Sequence, residues 1–330
     1  MTVLFAGGEL DAFFTSGNNF TDTADTARRD TNFARSSIRP RFPGFARADF
    51  SSLTEGWLHM TMNIRTLTSA NQDSAFLRLS DSVTGQIVLQ IDGDNGVFNF
   101  EYWNGASFTE LAPAISFVIA TNHKIDIHWK IADSGGIFEL FLDGVSVTSF
   151  SGDTLLAGFT QIDRIQFHSS TSALTNSIYD VFYSEIIVAD ESTIDWRLAT
   201  LAPNGAGNST TWTGDDTDVS TEALDDEIFI SSASADEVEQ FTISDLSGTA
   251  AAMDVVAVVV AARSRNAITG PQNVQISIRT GGNDFFSSNL SGVSTGFTED
   301  FVVYETNPDT SSAWLGSEVN DLEIGVKSIT

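Results

Sequence analysis

The side chains best suited to binding a sugar lie at the end of one predicted strand. Tyr102, Trp103 and Asn104 follow one another there. Aromatic rings stack on the faces of sugar rings, and an amide exchanges hydrogen bonds with hydroxyl groups, so this triplet predicts carbohydrate recognition. Trp212, close to two aspartates, is a second grouping of the same kind. The alternative is that these aromatic residues anchor a core or an interface, which is their commoner role.

Oxygen-bearing side chains gather in one predicted turn. Asp92, Asp94 and Asn95 fall within a five-residue run that also contains two glycines. Carboxylate and amide oxygens are the ligands that Ca²⁺ prefers, although the run lacks the distal glutamate of an EF-hand loop. The same run also makes an ordinary hairpin turn, which needs no ion. We therefore expect no cofactor, and Ca²⁺ at these three residues stays open as the alternative.

The residues that usually mark a catalytic or nucleotide site form no such pattern here. The chain has four histidines, none of them two or four residues from another, and no cysteine. A histidine metal site is therefore not predicted, and thiol catalysis, disulfide bonds and cysteine-ligated metals are excluded. Phosphate-binding loops, dinucleotide fingerprints and the serine-nucleophile elbow do not occur either.

The charge of the chain limits its partners. Among 330 residues, 16 are basic and 44 acidic, which gives a net charge of −28. A protein this acidic is a poor candidate for binding nucleic acid or an anionic membrane surface. The longest apolar run, residues 255–262, is too short to span a membrane and rich in β-branched residues, so it predicts a buried strand.

The local pattern predicts an all-β protein. In residues 124–131 apolar and polar side chains alternate, so that one face belongs to a core and the other is expected to face water. Similar runs recur between turns rich in Gly, Asn and Asp, and no amphipathic helix of ten residues is found. Many short strands at this spacing predict antiparallel β-sandwiches.

A boundary near residue 200 predicts two domains. Residues 202–211 are polar and contain glycine, which is typical of a linker or long loop. Only four of the 16 basic residues lie beyond this point. We therefore expect one β-domain in residues 1–200 and a smaller β-sandwich in residues 201–330.

Six arginines crowd into the N-terminal part of the first domain, where only one neighbour is acidic. They are Arg28, Arg29, Arg35, Arg39, Arg41 and Arg47. Because guanidinium groups pair with carboxylates in a bidentate manner, this segment predicts an assembly interface with an acidic neighbouring subunit. The alternative is a solvated loop that balances local charge.

Two segments of the first domain resemble a known fold. Residues 137–147, Ile-Phe-Glu-Leu-Phe-Leu-Asp-Gly-Val-Ser-Val, resemble the central hairpin of concanavalin A-like (laminin G-type) jelly-roll domains. Residues 179–190 resemble the closing strand of that fold, which returns beside the N-terminal strand. The resemblance implies a jelly-roll β-sandwich for the first domain.

The end of the chain resembles the ending of many tailed-phage virion proteins. Residues 305–314 carry Asn307-Pro308 and Trp314, and residues 318–327 carry Val-Asn, Leu-Glu and Gly-Val-Lys. The Asn-Pro pair presets a turn and the tryptophan anchors a hairpin. Ser311 and Ser312 depart from the pattern, because they stand where glycine is common.

Together these resemblances imply a structural component of a tailed-phage virion, such as a fibre, an appendage or a decoration subunit. The expected partners are other virion proteins, further copies of the chain in a homo-oligomer, and a glycan of the host surface. The expected location is the virion. We expect no enzymatic activity and assign no catalytic residue.

Two other functions stay open. One is a carbohydrate-binding module for adsorption to a host glycan, which would use Tyr102, Trp103 and Asn104. The other is a glycan hydrolase, since some concanavalin A-like folds are glycoside hydrolases. Those enzymes place two carboxylates across the scissile bond from a Glu-x-Asp-x-x-Glu strand, and that spacing does not occur in this sequence. Hydrolysis is therefore the less favoured alternative.

Overall fold

The computed structural model describes most of the chain. The described residues are 2–9, 12–16, 20–40, 45–67, 74–82, 86–94, 97–155, 159–169, 179–221, 225–290 and 295–330. The chain divides into two compact units, unit 1 (Met1–Leu198) and unit 2 (Ala199–Thr330). Within these stretches no helix is long and apolar enough to cross a membrane.

Unit 1 is built from two antiparallel sheets. Its strands are β1 (Val3–Gly7), β2 (Phe14–Ser16), β3 (Phe20–Thr23), β4 (Ser37–Pro40), β5 (Phe45–Leu53), β6 (Glu55–Leu67), β7 (Ser74–Asp81), β8 (Gln86–Asp94), β9 (Val97–Trp103), β10 (Phe108–Ile115), β11 (Asn122–Lys130), β12 (Gly136–Leu142), β13 (Val145–Gly152), β14 (Ile162–Ser169) and β15 (Tyr179–Ala189). Sheet I has the order β13-β12-β11-β6-β15-β4-β3, with β1 also paired to β15, and sheet II has the order β10-β9-β8-β7-β14-β5-β2.

The two sheets of unit 1 bury their facing sides against each other. Ile125, Ile127 and Trp129 of β11 are at most 1% exposed. The hydroxyl of Tyr183 in sheet I donates a hydrogen bond to the backbone carbonyl of Phe76 in sheet II, at 3.0 Å. Burial raises the pKa of this hydroxyl, so it stays protonated as a donor. The predicted all-β sandwich is therefore confirmed.

The two segments that carry the fold resemblance occupy the expected places. Asp143 and Gly144 connect β12 to β13, and their φ angles are positive, at 53° and 79°. A two-residue hairpin turn whose twist matches that of its strands requires such angles. Strand β15 pairs with the N-terminal strand β1, with Val3 opposite Ala189.

The polar face of β11 does not face water as expected. Asp126 is 1% exposed and His128 8% exposed. Nδ1 of His59 lies 2.8 Å from Oδ1 of Asp126, and the buried hydroxyl of Thr193 donates to the same oxygen at 2.9 Å. The segment that follows β15 folds over this part of sheet I, and such a tertiary contact leaves no mark in the alternation of a strand.

Unit 2 is a smaller β-sandwich. It contains β16 (Pro203–Thr210), β17 (Val238–Ile243), β18 (Val258–Ser264), β19 (Asn273–Thr280), β20 (Asn283–Phe286), β21 (Thr298–Tyr304) and β22 (Glu323–Ile329), with short helices α1 (Asp216–Val219) and α2 (Gly316–Asn320). Sheet III has the order β16-β17-β22-β19-β20, and sheet IV pairs β18 with β21. Residues of both sheets, among them Val260 and Ile276, share one core.

The polar stretch predicted as a linker forms a strand instead. Residues 203–210 make β16, an edge strand paired with β17. Gly207 allows this pairing to be close, because a Cβ atom there would meet the backbone of Gln240 at 2.7 Å. An edge strand needs only one hydrogen-bonding neighbour, so a segment of low strand propensity is accepted at this position.

The C-terminal run anchors a turn to the core of unit 2. Trp314 is 3% exposed, and its indole Nε1–H donates to the backbone carbonyl of Tyr304 at 2.8 Å. Asn307 and Ser312 form an isolated antiparallel bridge. Between them Ser311 has φ of 55°, the left-handed conformation that glycine adopts more easily.

Candidate functional site

One row of register positions crosses all seven strands of sheet II. Arg47 of β5 lies opposite Gln166 of β14, and Gln166 lies opposite Arg78 of β7. Glu101 of β9 lies opposite Glu110 of β10. From β2 to β10 the register positions are Phe14, Arg47, Gln166, Arg78, Gln90, Glu101 and Glu110. We call this set the cross-strand row.

The row lies on the face of sheet II that is turned away from the core. The residues next to its members along the strands are buried between the sheets: Phe13, Ala46, Ala48, Leu77, Leu79, Phe100, Ile165 and Phe167. Because successive side chains of a strand point to opposite faces, the row members other than Gln90 point outward. Of Gln90, on β8, only the backbone is described. Phe14 is 46% exposed, and Glu110 is exposed as well.

Two arginines share one carboxylate at the β5–β14 end of the row. Nε of Arg164 lies 2.6 Å from Oδ1 of Asp49, and its Nη2 lies 3.3 Å from Oδ2. Nε of Arg47 lies 3.3 Å from the same Oδ2. The guanidinium carbon of Arg47 also lies 4.4 Å from the ring centroid of Phe14, within the range of a cation–π contact.

An aromatic pair lies at the opposite end of this face. Trp103 of β9 is paired with Phe108 of β10, and their rings meet edge to face with centroids 5.3 Å apart. Nε1 of Trp103 is buried and has no hydrogen-bond partner among the described residues. An unpaired indole N–H is costly when it is buried, because it loses its hydrogen bonds to water.

The outer face of sheet II therefore combines aromatic rings, guanidinium groups, an amide and carboxylates along a single line. Rings stack on apolar faces of sugars, and planar polar groups exchange paired hydrogen bonds with neighbouring hydroxyls. The arrangement is chemically suited to an extended, hydroxyl-rich ligand.

The predicted sugar-binding triplet does not form one surface. Tyr102 points between the sheets, where its ring stacks on Phe150 at 5.3 Å. Trp103 points to the outer face, since neighbouring residues of a strand alternate. The side-chain oxygen of Asn104 accepts hydrogen bonds from the backbone N–H groups of Ala106 and Ser107, so this residue closes the β9–β10 turn. Only Trp103 of the three belongs to the outer face of sheet II.

The predicted calcium ligands lie largely beyond what the structure describes. Asn95 is outside the described residues. Asp92 and Asp94 belong to β8, of which only the backbone is described. In the described part of the chain, no group of three or more histidine, aspartate or glutamate residues is placed to hold a metal ion.

The five described arginines of the predicted interface are not gathered on one surface. Arg28 and Arg39 lie over the ring of Phe182 in sheet I, at 5.7 and 5.2 Å, whereas Arg47 belongs to sheet II. Arg35 forms an ion pair with Glu9 at 3.1 Å, and Arg41 is outside the described residues. Arg29 donates to the carbonyl of Thr23 at 3.4 Å. The described members therefore have partners within unit 1.

A second polar cluster, which sequence reasoning missed, is buried on the outer side of sheet I. The guanidinium of Arg197 lies 2.6 and 2.8 Å from the two carboxylate oxygens of the fully buried Glu185, and 2.7 Å from Asp30. Burial lowers the pKa of Arg197, but the hydrogen bonds and charges of both carboxylates outweigh it and raise that pKa. The side chain of Glu185 is fully buried, while those of Arg197 and Asp30 are 16% and 29% exposed, and the cluster ties the segment after β15 to the sheet.

The cross-strand row was also missed, apart from Arg47 and the neighbouring Trp103. Most of its other members carry only a weak signal in the sequence. Arg78, Gln90, Glu101 and Gln166 are each a polar residue between two apolar ones. What makes them a row is the register between strands, and the sequence does not reveal it.

Several of the solved structures similar to this chain are named as enzymes that act on carbohydrates or as carbohydrate-binding modules. An endo-β-1,4-glucuronan lyase from the fungus Trichoderma reesei is 14% identical, with a TM-score of 0.44 over 58% of this chain and 98% of that one. A carbohydrate esterase from the Shiga toxin-encoding bacteriophage phi24B is 14% identical, with a TM-score of 0.39 over 54% and 89%. The carbohydrate-binding module CBM66 from Bacillus subtilis is 11% identical, with a TM-score of 0.35 over 56% and 97%.

These likenesses concern the fold. No family model and no curated protein sequence matches the chain.

The expectation that the chain has no enzymatic activity is corrected by these neighbours. Glycan lyases and a carbohydrate esterase stand among the similar structures, so the shared fold includes enzymes. The missing Glu-x-Asp-x-x-Glu spacing bears only on one class of glycoside hydrolase.

Proposed function

We propose that unit 1 binds a carbohydrate on the outer face of sheet II. The observation that supports this proposal is the cross-strand row. Guanidinium, amide and carboxylate groups stand there in line, with an aromatic ring at Phe14 and another at Trp103 near the far end. These are the groups by which proteins stack on sugars and bond to their hydroxyls.

The length of the row suits a chain of sugars rather than a single ring. Neighbouring strands lie about 4.8 Å apart, so the six steps from β2 to β10 span about 29 Å. An extended glycan lying across the strands would contact several members of the row at once.

The test is a binding assay on the full chain with a panel of glycans. Gln166→Ala removes an amide near the middle of the row, and Trp103→Ala removes the aromatic ring and its unpaired N–H. Because one hydrogen bond contributes about 0.5–1.5 kcal/mol, each change should weaken binding about threefold to tenfold. Lys124→Ala, on the outer face of sheet I, is the matched control and should bind like the unchanged chain.

Two results would contradict the proposal. One is that no glycan of the panel binds. The other is that a glycan binds but Gln166→Ala, Trp103→Ala and Lys124→Ala retain the same affinity.

We also propose that this glycan binding serves host-surface attachment by a tailed-phage virion. The C-terminal run supports this setting: its Asn307 and Trp314 hold a turn on the core of unit 2, in a segment that resembles the ending of virion proteins. In this proposal the partners are other virion proteins and copies of the chain itself. Labelling intact particles with an antibody to the chain tests it, and particles free of the chain would contradict it.

Self-association has support in one edge strand. Strand β13 ends sheet I, its eight residues carry no charge, and Val145 and Val147 are 66% and 42% exposed. A neutral edge lets two copies of a chain with net charge −28 approach without facing like charges. Antiparallel pairing of β13 with its own copy would satisfy a two-fold axis.

A further inference from the structure

We infer that residues 190–198 form a strap that opens and closes over the outer side of sheet I while both sheets of unit 1 stay folded, with Arg197 as the residue that holds it closed. The strap follows β15 directly and leads into unit 2, which begins at Ala199. Its opening exposes a polar surface of sheet I and releases about 30 Å of extended chain before unit 2. Carbohydrate binding on sheet II does not depend on it.

Side chains, rather than strand pairing, hold the strap on sheet I. Among the described residues, its backbone makes one hydrogen bond to the rest of unit 1, from the N–H of Asp190 to the carbonyl of Thr2 at 3.1 Å. The hydroxyl of Thr193 binds Asp126 at 2.9 Å, and Arg197 binds two carboxylates. A segment with so few backbone hydrogen bonds opens at a lower free energy than the strands beneath it.

The strap covers polar groups of sheet I at its points of attachment. His59, Asp126 and Glu185 lie there and are at most 1% exposed. None of the strap's own large apolar side chains is fully buried: Ile194, Trp196 and Leu198. Water hydrates polar groups once the strap opens, so opening costs less free energy than exposing the same area of apolar surface.

The closed strap carries local strain. Asp195 in the strap and Glu185 beneath it have φ angles of 68° and 56°, in the left-handed region that costs a residue other than glycine free energy. Glu185 also interrupts the register of β15 with β6, between Ser184 and Ile187. Nε2 of His59 is buried and has no hydrogen-bond partner among the described residues, which is a further cost of the closed state. These costs reduce the free-energy difference between the closed and the open strap.

Arg197 holds the strap closed against these costs. Its guanidinium bonds to both oxygens of Glu185, at 2.6 and 2.8 Å, and to Asp30 at 2.7 Å. The same group lies 3.7 Å from the ring centroid of Phe33. Because Arg197 is the last residue but one of unit 1, it fastens the strap next to the start of unit 2 in the sequence. The strap opens when Arg197 leaves the two carboxylates.

Hydrogen exchange of the full chain in rising concentrations of urea tests the strap. The hydrogen-bonded N–H groups of Asp190 and Trp196 report on the strap, and those of β11 report on sheet I. After correction for intrinsic exchange rates, the strap should exchange at least about tenfold faster than β11 and with little dependence on urea, because local opening exposes little surface. If the strap and β11 share one rate and one dependence on urea, the strap opens only when unit 1 unfolds, and the inferred opening does not occur.

Two glycine variants test the strain in the strap. Asp195→Gly should slow exchange of the strap about twofold to fivefold, because glycine adopts the left-handed conformation without strain, and its greater freedom in the open strap offsets only part of this gain. Ser192→Gly, at an exposed position of the strap without a positive φ, is the matched control and should speed exchange. Equal effects of the two glycines would overturn the role given to strain at Asp195.

A lysine variant tests whether Arg197 holds the strap. Arg197→Lys keeps the charge but loses the planar fork, so exchange of the strap without urea should become about tenfold faster. Arg279→Lys is the matched control, because Arg279 in unit 2 also pairs with an aspartate, Asp284, at 2.8 Å. It should leave exchange of the strap unchanged. The same exchange rate in Arg197→Lys as in the unchanged chain would show that Arg197 does not hold the strap closed.

Discussion

At the scale of single residues, Arg197 stabilises two carboxylates at once. Its guanidinium bonds to Glu185, which has no exposed surface, and to Asp30, and it lies 3.7 Å from the ring centroid of Phe33. Removing one partner of a buried ion pair leaves the other charge without compensation, which costs more than the pair contributes.

We therefore expect Arg197→Ala to lower the free energy of unfolding of unit 1 by about 3 kcal/mol. Denaturant unfolding of the full chain measures this. Lys124→Ala is the control, because Lys124 forms only a 3.9 Å contact with the exposed Asp195 and should change stability by less than about 0.5 kcal/mol. Pairing Arg197→Met with Glu185→Gln should recover part of the loss, and no recovery would speak against the ion-pair explanation.

Asp30 makes the stability of unit 1 sensitive to acid. Burial raises its pKa, but hydrogen bonds from Arg197 and Asn32 outweigh burial and hold the pKa below the ordinary value of 3.8. A carboxyl group with a lowered pKa in the folded state adds stability above its unfolded pKa, and this is lost as the pH falls through the folded value.

The free energy of unfolding should therefore decrease below about pH 4, and Asp30→Asn should reduce that decrease. Unfolding curves at pH 7 and pH 3 for both chains make the comparison. An unchanged pH dependence in Asp30→Asn would show that other carboxylates carry the effect.

Ser311 holds a conformation that costs a non-glycine residue free energy. Its φ is 55°, and its backbone N–H donates to the carbonyl of Asn307 at 2.8 Å. Ser311→Gly should relieve the strain, which the greater freedom of unfolded glycine partly offsets, so unit 2 should gain about 0.5–1 kcal/mol. Ser312→Gly, next to it without a positive φ, should instead destabilise. Thermal unfolding of both variants checks this, and equal shifts would contradict the strain argument.

At the scale of elements, β13 is the strand whose exposed edge matters most. Its outward residues are uncharged and two of them are valines, so it lacks the lysine or proline that usually blocks edge pairing. Val147→Lys should therefore weaken self-association of the full chain, measured by sedimentation at several concentrations. Val118→Lys is the control, since Val118 is 63% exposed and lies outside the strands. If the unchanged chain is a monomer at all concentrations, the proposed self-association is wrong.

The sequence predicted the elements whose signals are local and missed those that depend on residues distant in the chain. Alternation in residues 124–131 and the Asp143-Gly144 turn predicted strands and a hairpin, because both signals are local. Strand β16 was missed, since its pairing with β17 depends on Gly207 and on a neighbour distant in sequence. The buried side of β11 was missed for the same reason, because Thr193 covers it from another segment.

At the scale of the whole molecule, the cross-strand row is a property of topology. Arg47 and Gln166 of the row are far apart in the sequence, yet they lie opposite each other on neighbouring strands. The alternation within a sequence predicts which residues of a strand share the outward face. It does not predict the order of the strands in the sheet. The fold class was therefore predictable from the sequence, whereas the candidate site was not, apart from Arg47 and Trp103.

The most direct test of the account is a crystal structure of the full chain with a bound oligosaccharide. We predict sugar rings across the outer face of sheet II, with one ring in contact with Trp103 and a sugar hydroxyl within hydrogen-bond distance of Gln166. A ligand bound to unit 2, or to sheet I of unit 1, with the cross-strand row unoccupied would contradict it.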